Sequence, residues 1–216
     1  MTLRLTVRVL LSAVAVMLVL AGCGGSQADK PETTAKQAGK PSLGPAFGSM
    51  DALPGVLKTP PPWMTNDGKL QQRLRAIGLP ALTEEGQVVH IHQHLDLFVD
   101  GKPVEVPGNI GIGQSFISPL HTHDPNGILH VESPTASTFS LGQLFAIWGV
   151  RLDRRCIGGL CAGNGKELRA WVDGTAVDAD PTRIVLGEKQ QIVLAFGTPQ
   201  QMPDPVPASY AFPADL

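Results

Sequence analysis

The chain has 216 residues, 43% hydrophobic and 17% charged, with a formal net charge of −2. That balance excludes a disordered protein, which would combine low hydrophobicity with high net charge, and the length supports one substantial core, so a single domain is expected. No basic patch with interleaved aromatics occurs, which argues against nucleic acid as a partner.

At the N-terminus, Arg4 and Arg8 flank the start of an apolar run, Val9 to Leu20, that is short for a membrane span and ends in Leu20-Ala21-Gly22-Cys23. The segment resembles a bacterial lipoprotein signal and matches its Leu-Ala-Gly-Cys box at every position. The resemblance implies a signal peptide over residues 1–22, cleavage before Cys23, and acylation of Cys23, palmitate being the typical chain. It also implies a membrane as partner: the outer side of the cell membrane or an outer membrane. An uncleaved membrane anchor is the alternative, and both readings export the domain. Without residues 1–22 the chain carries 15 basic and 19 acidic residues, a formal charge of −4. Residues 23–60 are rich in Gly, Ser, Ala, Lys and Pro without an apolar period, the composition of a flexible tether. Residues 61–216 are left for the folded domain.

Within the domain, Asp67 is expected to cap a short helix through Ile77, with Leu70, Leu74 and Ile77 on one side, Gly78 as its stop and Pro80 beyond. Val89 to Val99 then alternates: Val89, Ile91, Gln93, Leu95, Leu97 and Val99 share one face, while His90, His92, His94, Asp96 and Phe98 share the other. Asp100-Gly101 is a two-residue hairpin signal that pairs Val99 with Lys102, Leu97 with Val104 and Asp96 with Glu105. Gly108 to Gly113 reads as a bend. Asp124-Pro-Asn-Gly127 reads as a four-residue turn between strands Phe116 to His123 and Ile128 to Ser133. Across that turn His121 falls opposite His130, His123 opposite Ile128, and Pro119 opposite Glu132. Ser140-Leu-Gly-Gln143 opens a helix through Trp148, which Gly149 ends. In an exported chain, Cys156 and Cys161 are expected to close a small disulfide; a contribution of both thiolates to a metal is the alternative. Glu167 to Val172, Thr175 to Val177, Arg183 to Leu186 and Gln190 to Phe196 read as strands, and the Pro-rich tail from Thr198 wraps the surface with Tyr210 and Phe212 as anchors. The fold expected is mainly β, an antiparallel sandwich or partly open barrel with two short helices.

All six histidines lie between His90 and His130. Positions i, i+2 and i+4 of a strand line one face about 7 Å apart, and cross-strand partners have Cβ atoms about 5 Å apart. The chain therefore holds two sets, a row of His90, His92 and His94 and a hairpin triad of His121, His123 and His130, with Glu132 beside the triad. The sets meet only if the fold places the two strands together. Imidazole suits Zn(II) or Cu(II) rather than Ca or Mg, and six ligands exceed what one tetrahedral ion needs, so one or two ions per chain are expected. Asp96, Glu105, Asp124 and Glu132 are candidates to orient the imidazoles or to bind, Glu132 foremost. Met50, Met64 and Met202 are possible thioethers. A layer of hydrogen-bonded histidines without metal is the alternative. The His-x-His steps resemble those of cupin oxygenases and copper-zinc superoxide dismutases. The chain departs from the first because Glu132 lies nine residues past His123, and from the second because its glycine framework is missing. Two functional classes follow: an extracytoplasmic lipoprotein that captures, buffers or delivers a transition metal, or a mono- or dinuclear metalloenzyme, hydrolase or oxidoreductase, using three histidines and Glu132. No GxSxG elbow, P-loop or free cysteine offers another chemistry.

Overall fold

Strand β1 (Val89–Val99) is the longest element, and its two-residue alternation divides the molecule into two faces. The structure, a computed structural model, describes residues 40–216; the expected signal peptide 1–22, the expected lipidation site Cys23 and the first part of the expected tether lie outside the described residues. Helix α1 (Leu70–Ala76) precedes β1. Strand β2 (Lys102–Val104) turns back on β1, and β3 (Leu120–His121) and β4 (Ile128–Ser133) form the second hairpin. Then come α2 (Leu141–Trp148), a small ribbon of β5 (Cys156–Ile157) and β6 (Leu160–Cys161), and strands β7 (Glu167–Val172), β8 (Thr175–Ala176) and β9 (Gln190–Gly197). The main sheet runs β3-β4-β1-β9-β7-β8, with β2 pairing β1 where β4 has ended. Among the described residues the expected mainly β class with two short helices holds, and no barrel closes. The sheet is not wholly antiparallel: β1 and β9 pair in parallel, Leu95 facing Ile192 and Leu97 facing Leu194.

One face of the sheet makes the core. Leu95, Leu97, Leu129, Val131, Ile192, Leu194 and Phe196 pack there against Leu70 and Leu74 of α1 and Leu141, Leu144, Phe145 and Trp148 of α2. Helix α2 forms as expected: the Ser140 side chain accepts from the Gln143 N–H at 3.3 Å, the Gln143 side chain accepts from the Ser140 N–H at 2.9 Å, and Gly149 ends the helix at φ 78°. Arg73 of α1 is buried and its guanidinium donates to the carbonyls of Ile147, Pro54 and Asn66. A cation thus meets the carbonyl end of α2. Burial alone pushes its pKa down to about 10, only partly opposed by Asp67, so it stays charged.

Several expectations are corrected. Residues 40–60, counted with the tether 23–60, lie on the domain: Leu43 bridges Ile184, Leu57 bridges Val150 and Met50 is buried. Their apolar residues, Leu43, Phe47, Met50, Leu53 and Leu57 among them, follow no helix or strand period, so a reading by periodicity misses them. Asp67 starts a 3-10 turn, Asp67–Lys69, instead of capping α1. The strand expected over Phe116 to His123 shrinks to Leu120–His121, because Ile117 pairs with Leu82 and Ser118 with Gly111, and Pro119 has no N–H to give. Arg183 to Leu186 forms single bridges after a 3-10 turn, not a strand. The disulfide expected between Cys156 and Cys161, by contrast, is present and pairs β5 with β6, so neither is a free thiolate.

Candidate metal centre

The order β3-β4-β1 brings the two histidine sets together. His121 of β3 lies opposite His130 of β4, and His130 lies opposite His92 of β1, a row of three imidazoles across three strands. In the next row Glu132 lies opposite His90. The ring centroids of His92 and His130 are 4.6 Å apart, and those of His121 and His130 5.2 Å. Register alone produces this row, since cross-strand partners on one face must be neighbours.

His123 leaves the strand but stays at the row, its ring 4.6 Å from that of His130. Thr122 holds it there. Its hydroxyl donates to the Pro107 carbonyl at 2.8 Å and accepts from the Ile110 N–H at 3.0 Å, so the residue between the two histidines is tied to the glycine-rich bend. Gly108 lets the backbones meet: a Cβ there would lie 2.4 Å from the His123 carbonyl oxygen.

The first group is His121, His123, His130 and Glu132, whose donor atoms, one per residue, all lie within 4.8 Å of one another. His121 Nε2 is 3.2 Å from His123 Nε2 and 3.9 Å from Glu132 Oε2. A tetrahedral zinc ion with bonds of about 2.0–2.2 Å separates its ligand atoms by roughly 3.4 Å, so small side-chain movements would close this set on an ion. His121 Nδ1 donates to the Ser118 carbonyl at 3.0 Å, which directs the lone pair of Nε2 into the group. His130 Nδ1 donates to Glu132 Oε1 at 3.0 Å. A second group, His90, His92 and Glu132, meets the same 4.8 Å limit, with His90 Nε2 3.4 Å from Glu132 Oε1. These histidine and glutamate residues, buried except for His90 and His123, could hold a metal ion.

Electrostatics suits a cation. Burial, assisted by His130, His90 and Lys189, pushes the His92 pKa down to about 4. Burial also pushes His121 down to about 4, against the pull of Glu132 and the Ser118 carbonyl. Burial raises the Glu132 carboxyl, but the His130 hydrogen bond, with the charges of His121 and His90 when protonated, outweighs it and brings the group to about 2. At neutral pH, then, His92 and His121 offer lone pairs rather than protons, and Glu132 offers a negative charge.

Not every candidate joins. His94 belongs to neither group: its Nδ1 is 3.0 Å from Gln191 Oε1, its Nε2 is 3.0 Å from the Asn126 carbonyl, and its ring stacks on Tyr210 with centroids 3.7 Å apart. Asp96 accepts from Gln191, and Glu105 and Asp124 are exposed. Met50 packs in the core and Met202 against Trp171, while Met64 is exposed. Sequence reasoning misses Glu85, whose Oε1 lies 3.5 Å from His123 Nε2 and 3.9 Å from His121 Nε2. No periodicity marks it. It is placed by Gly86, packed on the Ser133 backbone, and by the Val88 N–H donating to the Ser133 carbonyl at 3.0 Å.

No family model, curated protein or solved structure matches this chain. The donor set itself is what speaks to function.

Proposed function

We propose that the chain is an extracytoplasmic lipoprotein, anchored through lipidated Cys23, that binds Zn(II) or Cu(II) for capture, buffering or delivery. The observation that carries the reading is the convergence of His121, His123, His130 and Glu132, with the His121 lone pair aimed inward by Ser118. Borderline imidazole donors with one carboxylate favour these ions over calcium or magnesium. A single carboxylate charge and the His121 ring, held neutral by burial, lessen the proton competition that weakens metal sites near neutral pH.

The full chain, purified, stripped with chelator and dialysed against Zn(II) or Cu(II), is expected to retain at least one ion by elemental analysis. A chain that retains none sinks the reading. The anchor is tested separately by metabolic labelling with an alkynyl fatty acid, where label is expected on the wild-type chain and not on Cys23→Ser; an unlabelled wild type removes the lipoprotein half. A second reading, a hydrolytic or oxidoreductive metalloenzyme with Glu132 moving protons, draws on one feature. His123 and Glu85 are both about two-fifths exposed at the rim of the group, so solvent and small anions reach it. Azide binding that alters the spectrum of the metal-loaded chain would favour that reading.

A further inference from the structure

Glu132 belongs to both candidate groups, and its two carboxylate oxygens face different histidines. Oε1 lies 3.0 Å from His130 Nδ1 and 3.4 Å from His90 Nε2, while Oε2 lies 3.9 Å from His121 Nε2. The residue is 3% exposed, and Oε2 has no hydrogen-bond partner. On the other side of it, His92 is 4% exposed, and its Nε2 is also without a partner. Buried polar atoms are nearly always paired, so an orphaned oxygen of this carboxylate and an orphaned nitrogen of the neighbouring imidazole call for an occupant.

We infer that the sheet face holds two divalent transition-metal ions, with Glu132 bridging them: one bound by His121, His123 and His130, the other by His90 and His92. This rests on the metal-binding reading above and extends it to a dinuclear centre. The antiparallel register makes the arrangement natural. His130 stands between His121 and His92 on neighbouring strands, and Glu132 stands beside His90, with its carboxylate within 4.8 Å of donor atoms of all five imidazoles. Carboxylate-bridged ions lie about 3.5–4 Å apart, a separation these neighbouring groups can span.

The two ions are unequal. The inner one has four protein ligands drawn from β3, β4 and the segment after β3. The outer one has three, and although each set holds one partly exposed histidine, His90 here and His123 there, it must enter against the charge of the first. Binding is therefore stepwise, and the outer ion is the exchangeable one.

The test is titration of the metal-free full chain with Co(II), read by visible absorption. Two breaks are expected, at one and two equivalents. His90→Ala, at a partly exposed position that tolerates truncation, is expected to lose the second break and keep the first affinity within about threefold. His92→Ala is expected to do the same. Independently of any variant, the wild type loaded with two equivalents of Cu(II) is expected to show a half-field EPR transition from a coupled pair. A single break in the wild type overturns the dinuclear centre and leaves the mononuclear reading standing. So does His90→Ala that still takes two equivalents, or two magnetically isolated Cu(II) signals. No uptake at all overturns both readings, so the two failures are distinguishable.

Discussion

One face of the sheet carries two different materials. Toward β3 and β4 it is paved with His90, His92, His121, His130 and Glu132; toward β9 and β7 the same face presents Phe98, Val193, Ala195 and Trp171, covered by Met202 and Val206 of the C-terminal tail. The pleat is common to both halves, since Phe98 follows His90 to His94 at the same two-residue spacing along β1. What differs is what closes them. The apolar half is closed by chain, as any hydrophobic surface is when a segment can reach it. The imidazole half keeps His90 and His123 partly open and leaves buried polar atoms of Glu132 and His92 unpaired. The packed half ends in contact; the imidazole half ends in unpaired polar atoms.

The largest way to break this comparison is through the packed half. Trp171→Ala removes a ring that is 7% exposed from between Val193 and the tail, and is expected to cost about 3–4 kcal/mol in urea unfolding. Metal stoichiometry should stay unchanged below the transition. A loss under about 1 kcal/mol would mean that the tail does not seal this face. The counterpart in the other half is His121→Ala. It removes a fully buried donor held by Ser118 and is expected to weaken Zn(II) binding by about 100-fold or more, equivalent to about 2.7 kcal/mol, in competition with a chromophoric chelator. Unchanged affinity would take the first group out of the metal site.

How far the sequence reached follows from what each feature depends on. The register of Val99 with Lys102 and of His121 with His130 rests on short turns, Asp100-Gly101 and Asp124 to Gly127, and local chemistry decides it. The placement of β4 beside β1 and of β9 parallel to β1 joins residues far apart in the chain, and nothing local encodes it. That is why the hairpin triad was readable while its union with the His90 row was conditional. Glu85 lay beyond reach for the same reason: it sits before β1 in sequence but docks at the end of β4. His94 misled because alternation assigns a face and not a partner. It shares a face with His90 and His92, but Tyr210 and Gln191 claim its ring.

Acid should separate the halves next. His92 and His121 have folded-state pKa values of about 4 against an ordinary 6.5. As pH falls through 6.5 the unfolded chain takes up protons that the folded chain refuses, so metal-free stability drops; the contribution of these two rings is spent by about pH 4, and below that Glu132, brought to about 2, continues the fall. The expected loss between pH 7 and pH 5 is about 2 kcal/mol in urea unfolding, on the order set by two partly coupled groups. In the variant pair His92→Gln and His121→Gln combined, the loss should largely disappear. A wild type whose metal-free stability is flat from pH 7 to 5 would show that these rings are not held neutral.

The smallest effect expected lies on the boundary between the halves, where His94 meets Tyr210 in a stack tilted by only 5°. If that stack is packing, Tyr210→Ala should cost about 1 kcal/mol, the scale of one aromatic pair, and loosen the tail without touching the metal. The rings of His90 and His92 are in contact at 5.0 Å, so a boundary drawn between His92 and His94 is a sharp one, two residues along a single strand. Zn(II) affinity measured on Tyr210→Ala decides it. A change within about threefold leaves His94 with the packed half. A drop of 10-fold or more would mean that Tyr210 holds His94 ready for an ion, and the imidazole half would then extend one step further along β1 than its geometry indicates.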